Sequence, residues 1–201
     1  MNDFAASLIK IGAIKFGHFK LKLHEKYPDA PLSPIYIDLR LLRSFPDAMK
    51  LAVNVYKELA SGLEFDALAD IPTAATPITS ILSYIIRKPM ISPRMDKKSH
   101  GTKQSIDGAF RNGDKILLID DLITKADSKL EAIKILEDNG LIIRNILVLL
   151  DREQGGIQAL SEKGYECRSG FALRNLLQFY STNGIISKGD FVRTMEYLES
   201  A

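Results

Sequence analysis

Apolar and polar positions change period several times along the chain. Over residues 4–16, Leu8, Ile11 and Ile14 recur at helical spacing, and Gly17 suits a helix end. Phe19, Leu21 and Leu23 then alternate with His18, Lys20 and Lys22, which predicts a strand. Residues 24–32 are polar and contain Pro28 and Pro31, so they read as a loop. Ile35, Ile37 and Leu39 alternate with Tyr36 and Asp38, predicting a strand over residues 34–39. Phe45-Pro46-Asp47 opens a helix with Pro in its first turn, running to about Ala60.

A regular rhythm follows. Short apolar strands are predicted at residues 67–71, 89–92, 115–119, 142–150 and 165–167. Helices are predicted at 77–86, 128–138, 157–163, 172–180 and 188–198, with Asn139-Gly140 and Gly164 as stops. Strands that are apolar throughout and alternate with helices imply an α/β fold with a central parallel sheet covered on both faces. In such sheets a ligand sits beyond the carboxyl ends of the strands, which directs attention to the residues just after each one.

Composition narrows the class. The 201 residues carry 27 Lys and Arg against 25 Asp and Glu, and 46% are hydrophobic, which excludes a disordered chain. This length suits one domain over residues 1–201 that buries roughly 70% of its unfolded surface. The near-neutral balance argues against a nucleic-acid binder. The single cysteine, Cys167, excludes an internal disulfide and a cysteine-rich zinc site, and reads as a small semi-buried residue. No apolar run approaches the roughly 18 residues of a membrane span, and charges within the first 17 residues exclude a signal peptide. A cytoplasmic protein without membrane contact is expected.

The segment richest in candidate chemistry is Lys115-Ile-Leu-Leu-Ile119 followed by Asp120-Asp121-Leu-Ile-Thr124-Lys125-Ala126-Asp127-Ser128. Two acids end a buried strand, a short loop follows, and a helix opens at Ser128. Helix amides can hold a phosphate, and carboxylates can accept hydrogen bonds from sugar hydroxyls. The plain alternative is a strand-to-helix connection, in which Ser128 and Glu131 form a capping box and Asp127 favours the helix dipole. Capping leaves the adjacent acids unexplained. A second candidate is the stretch from Arg94 to Asp107, whose Lys97, Lys98, Lys103, His100 and Gly101 suit a basic lid over an anion. A third is Arg152, which just beyond a buried strand can bind a planar carboxylate bidentately or pair with Asp151 or Glu153. His18 and His24 have no metal-ligand spacing and read as surface residues.

The acid pair and Thr124 resemble the phosphoribosyl-pyrophosphate motif of type I phosphoribosyltransferases. Further segments are similar to the orotate phosphoribosyltransferase family: Phe16-Gly-His-Phe-Lys-Leu-Lys22, Ser33-Pro-Ile-Tyr36-Ile-Asp-Leu-Arg40, Asp70-Ile-Pro-Thr-Ala-Ala-Thr-Pro77, the basic stretch with Lys98 and His100, and Asp151-Arg152-Glu-Gln-Gly-Gly156. These lie in order over about residues 16–171. The resemblance implies a type I phosphoribosyltransferase-like sheet flanked by helices, with a small hood from about residues 1–40 plus part of the C-terminal region. It implies that orotate attacks phosphoribosyl pyrophosphate to give orotidine 5′-monophosphate and pyrophosphate, with Mg²⁺ bound mainly through the substrate rather than in a side-chain cage. It implies that Asp120 and Asp121 hold the ribose hydroxyls, and that Thr124, Lys125, Ala126, Asp127 and Ser128 receive the 5′-phosphate. Arg94, Lys98 and His100 should then face pyrophosphate, and Lys22, Tyr36 and Arg152 should face orotate. By the same resemblance, Lys98, His100, Asp120 and Asp121 are the expected catalytic set. A homodimer with shared active sites is also implied.

Three departures stand out. Lys125, Ala126 and Asp127 replace the family's small residues and glycine. Met95 replaces a basic residue, and the insert between Lys22 and Ser33 is long. They leave open a second reading, a non-catalytic sensor of nucleotide or phosphoribosyl pyrophosphate in which Asp127 caps the helix and fills the phosphate place.

Overall fold

The uniformly apolar runs become the middle of a sheet. The computed structural model describes residues 2–20, 23–95 and 105–200. Along the chain come α1 (Asn2–Lys10), β1 (Ile14–Phe19), α2 (Leu23–Lys26), β2 (Ser33–Ile37), a 3-10 turn (Leu39–Ser44), α3 (Pro46–Leu59), β3 (Ala67–Asp70) and α4 (Thr76–Ile86). They are followed by β4 (Met90–Pro93), β5 (Ile106–Asp107), β6 (Lys115–Ile123), α5 (Asp127–Glu137), β7 (Ile142–Asp151), α6 (Gly156–Ser161), β8 (Glu166–Ala172), α7 (Leu173–Thr182) and α8 (Lys188–Ser200). Six strands form one sheet in the order β5-β4-β3-β6-β7-β8, all neighbours parallel except the antiparallel edge strand β5.

Period two explains why both faces are buried. Leu117, Ile119, Leu147 and Leu149 join one core with Val53 and Tyr56 of α3, Ile78 and Leu82 of α4 and Leu177 of α7. Ile116, Leu118, Ile146 and Val148 point the other way, onto Ala132, Ile133 and Leu136 of α5 and Leu160 of α6. Each strand therefore needs apolar residues at consecutive positions. A separate antiparallel pair, β1 and β2, packs beneath α8, and Tyr180 of α7 donates to the Ala5 carbonyl of α1 at 2.8 Å. The two ends of the chain are thereby joined. Among the described residues no helix is long and apolar enough to cross a membrane.

Several element boundaries differ from expectation. The first helix stops at Lys10 because Gly12 takes a left-handed φ of 72° and turns the chain; Ile14 then meets the same core from β1, paired with Ile37. The strand expected through Leu23 ends at Phe19, and Leu23 instead opens α2. His24 is buried rather than on the surface, its Nε2 lying 3.1 Å from the Ala30 carbonyl. β6 continues past Ile119 because β7 continues beside it: Asp120 pairs with Val148 and Ile123 with Asp151, so both acids lie within the strand. β8 likewise runs on to Ala172; it passes α3 at Gly170, where a Cβ would stand 2.5 Å from Val55.

Candidate active site

The carboxyl end of β6 holds the two acids in unequal settings. Asp120 is buried, its Oδ1 accepts from the Asp121 amide at 2.9 Å, and its Oδ2 lies 2.5 Å from the Lys129 ammonium. Tyr56, rising from α3, fixes the same residue by donating to its carbonyl at 2.5 Å. Burial, then the charges of Asp121 and Asp120, push the Tyr56 phenol well above its usual range. Asp121 is half-buried and its Oδ1 accepts from the Leu122 amide at 2.8 Å. Desolvation, followed by repulsion from Asp120, raises its carboxyl to about 7.

From Thr124 the chain turns through Ala126, which adopts φ 68° and stands as N-cap of α5. A left-handed alanine costs about 1–2 kcal/mol. This turn displaces the expected capping box: Ser128 falls at the second helical position and no side chain caps the helix. Asp127, the first helical residue, is exposed and does not fill the place of a bound anion as a cap. The first turn of α5 therefore offers amides to an anion, together with the exposed Lys125.

The turn after β7 lies against this loop. The Arg152 amide donates to the Ile123 carbonyl at 3.0 Å, and a Cβ on Gly156 would stand 2.3 Å from the Thr124 carbonyl. Arg152 has neither of its two expected ion pairs. Asp151 accepts from the Glu153 amide at 2.8 Å, and Glu153 accepts from the Arg174 amide at 2.7 Å, capping α7. The Nε and Nη2 of Arg152 are buried without a hydrogen-bond partner. Burial lowers the Arg152 pKa, with a smaller opposing effect from Tyr197. A withdrawn guanidinium with two free donors has the geometry to receive a planar anion.

The third part of the rim is the β3–α4 connection. Asp70 is fully buried and accepts from Thr76 and from Ser92, the latter at 2.5 Å. The Pro72–Thr73 peptide is cis, and Arg43 donates to the Thr73 carbonyl at 3.0 Å. Arg94 follows β4 and is closed onto Asp107 of the edge strand at 2.9 and 3.0 Å, so its charge is already paired within the stretch. Tyr36 packs its ring on Phe19 at 5.5 Å between centroids, and its hydroxyl accepts from Arg40 at 3.3 Å. The structure thus gathers Asp120, Asp121, Thr124–Ser128 and Arg152 along the adjoining ends of β6 and β7. Lys22, Lys98 and His100 lie outside the described residues. Met95 packs against the core beneath the sheet.

Comparison with known proteins bears on this arrangement. No family model matches the chain. It is 36% identical over 193 residues to orotate phosphoribosyltransferase of Pyrobaculum calidifontis, covering 96% of each. The chain belongs to the orotate phosphoribosyltransferase family. Its fold superposes on the solved structure of orotate phosphoribosyltransferase from Aeropyrum pernix with a TM-score of 0.79, 26% identity, and coverage of 92% of this chain and 99% of that one. On UMP synthase of Leishmania donovani the TM-score is 0.88 with 32% identity; all of this chain is covered, but it spans only 42% of that longer protein.

Within this orotate phosphoribosyltransferase fold, sequence reasoning misses Lys129 and gives Glu153 the wrong partner. Lys129 looks like an ordinary helix lysine. The available signal was its phase: Lys129, Ala132, Ile133 and Leu136 follow i, i+3, i+4, i+7 and are the buried residues of α5. A lysine at the head of an apolar stripe needs a buried anion, and Asp120 supplies one. Glu153 was read as a possible partner of Arg152; its left-handed φ of 57° instead aims it at the start of α7. No local pattern announces that.

Proposed function

We infer that the chain transfers the ribose 5-phosphate group of phosphoribosyl pyrophosphate to orotate, giving orotidine 5′-monophosphate and pyrophosphate in pyrimidine biosynthesis. The observation that carries this reading is the buried, unpartnered guanidinium of Arg152, poised to take the orotate carboxylate. Orotate N1 forms a bond to the anomeric carbon as the bond from that carbon to the pyrophosphate oxygen breaks, and the N1 proton leaves to the pyrophosphate or to water. Positive charge develops on the ribosyl ring and negative charge on the leaving group.

Asp120 and Asp121 stand at the ribose hydroxyls, where fixed negative charge favours a cationic ring. Thr124 and the α5 amides of Lys125–Ser128 receive the 5′-phosphate, with the Lys125 ammonium offsetting Asp127. Arg94 exchanges Asp107 for pyrophosphate, beside Lys98 and His100, which rest on the family resemblance. Lys22, by the same resemblance, and Tyr36 border orotate. Mg²⁺ would be held mainly by the substrate's phosphate oxygens, which suit a hard cation, and would offset the charge of the leaving pyrophosphate. The β1–β2 pair with α8 forms the hood of one domain over residues 1–201, and the protein works as a cytoplasmic homodimer with shared sites.

The test is direct. Purified protein with magnesium, orotate and phosphoribosyl pyrophosphate consumes orotate, read as loss of its ultraviolet absorbance. No turnover by folded protein, beside a working control enzyme, refutes the assignment.

A further inference from the structure

Lys129 is the least exposed cation of the site and has no part in the chemistry above. It is the third residue of α5, yet its side chain runs back under the phosphate loop to the end of β6. There its ammonium meets Asp120 Oδ2, donates to the Leu122 carbonyl, and lies 3.5 Å from Ser128 Oγ. All three donors of a lysine are thereby directed. They tie together the strand that carries the acids and the helix whose first turn faces the phosphate.

Two adjacent carboxylates withdrawn from water repel, and one of them tends to take up a proton. A single cation placed against only one of them divides their roles. We propose that Lys129 is a positioning residue for the transfer reaction: its ammonium holds Asp120 as a fixed carboxylate and leaves Asp121 as the member of the pair that changes its charge and its partner when ribose arrives. The inference rests on the reading given under Proposed function.

Other titratable groups face the pair. Tyr56, from α3, is raised well above 10, and Cys167, from β8, is pushed up to about 12 by burial. Asp151, at the end of β7, is raised chiefly by desolvation; it faces Cys167. Asp121 itself is lifted to about 7, where Asp120 raises it and Lys129 lowers it.

The decisive measurement is carbon-13 NMR titration of the Asp121 carboxyl in the ligand-free full chain, assigned by its loss in Asp121→Asn. The wild-type midpoint is expected near 7. In Lys129→Met the last ionisation of the pair moves up by about one pH unit, since the only adjacent cation among the described residues is gone. In Asp120→Asn/Lys129→Met both charges are removed, the midpoint falls below wild type, and the fold is spared a lone buried carboxylate. The acid limb of kcat/KM for phosphoribosyl pyrophosphate moves in the same directions. An Asp121 midpoint that stays put in both folded variants, or a kinetic limb that ignores a shifted midpoint, overturns the proposal and leaves Lys129 a structural residue. Shifted midpoints with no orotate turnover by the wild-type chain uphold the ion-pair device and refute the reaction assigned to the site.

Discussion

Lys129 and Arg152 are both cations withdrawn from water at the carboxyl end of the sheet, and they meet opposite surroundings. Lys129 is enclosed with an anion and a carbonyl of its own chain. Arg152 is held by its backbone while its guanidinium keeps two buried nitrogens without partners. A buried charge without a counter-charge costs several kcal/mol, so a fold keeps one only where something else compensates. Under the proposed function the difference separates framework from receptor: the charge that the chain satisfies builds the site, and the charge that it leaves open is the one proposed to take the ligand.

Replacing each cation with methionine sharpens the contrast, because the same chemical change should act with opposite sign on stability. Lys129→Met strands Asp120 in the interior and should destabilise the fold by about 3–5 kcal/mol in urea unfolding. Adding Asp120→Asn should recover most of that loss. A loss under about 1 kcal/mol, the value of an exposed ion pair, would show that water reaches the pair. Arg152→Met should stabilise the ligand-free fold by about 1 kcal/mol, since it removes unsatisfied donors. It should also lower kcat/KM for orotate about 100- to 1,000-fold, the cost of leaving a substrate carboxylate unpaired. Loss of stability in Arg152→Met would place Arg152 with the framework and break the comparison.

The seam between the two regions is Gly156. A Cβ there would stand 2.3 Å from the Thr124 carbonyl and 2.6 Å from Ile123, so the loop that begins at Thr124 must shift to admit it. Gly156→Ala should cost about 1–3 kcal/mol of stability by overpacking. It should weaken phosphoribosyl pyrophosphate binding in calorimetry as well. Full stability with normal binding would mean that the two loops move independently.

What could be read in the sequence follows from how local each cause is. The apolar middles of β6 and β7 were visible because every residue there faces a core, and α3 was visible through Phe45-Pro46-Asp47 at its start. The ends were not. β6 reaches Ile123 only because β7 offers backbone partners as far as Asp151, and a ladder partner cannot be seen from one strand. Asp120, Asp121 and Arg152 were singled out as charges at the ends of apolar runs. Their division into paired and unpaired depended on Lys129 and Glu153, which reach the site from other elements. Arg94 stood out as the start of a basic stretch, yet it pairs with Asp107 of the edge strand.

Asp127 gives the smallest effect and the finest test of the phosphate end. It is exposed at the first position of α5, and no side chain caps that helix. Without ligand, an acid there favours the helix by about 0.5 kcal/mol, so Asp127→Gly should slightly lower stability. With ligand the sign reverses, because the carboxylate then faces a phosphate of like charge. At several ångströms in water-like surroundings that repulsion is about 0.5–1 kcal/mol, and calorimetry should show phosphoribosyl pyrophosphate binding tightened two- to fivefold. The gain should fade as salt is raised, since an exposed pair is screened. Unchanged or weaker binding at low salt would show that Asp127 turns away from the phosphate. The departure from glycine would then act through the left-handed Ala126 alone, not through charge.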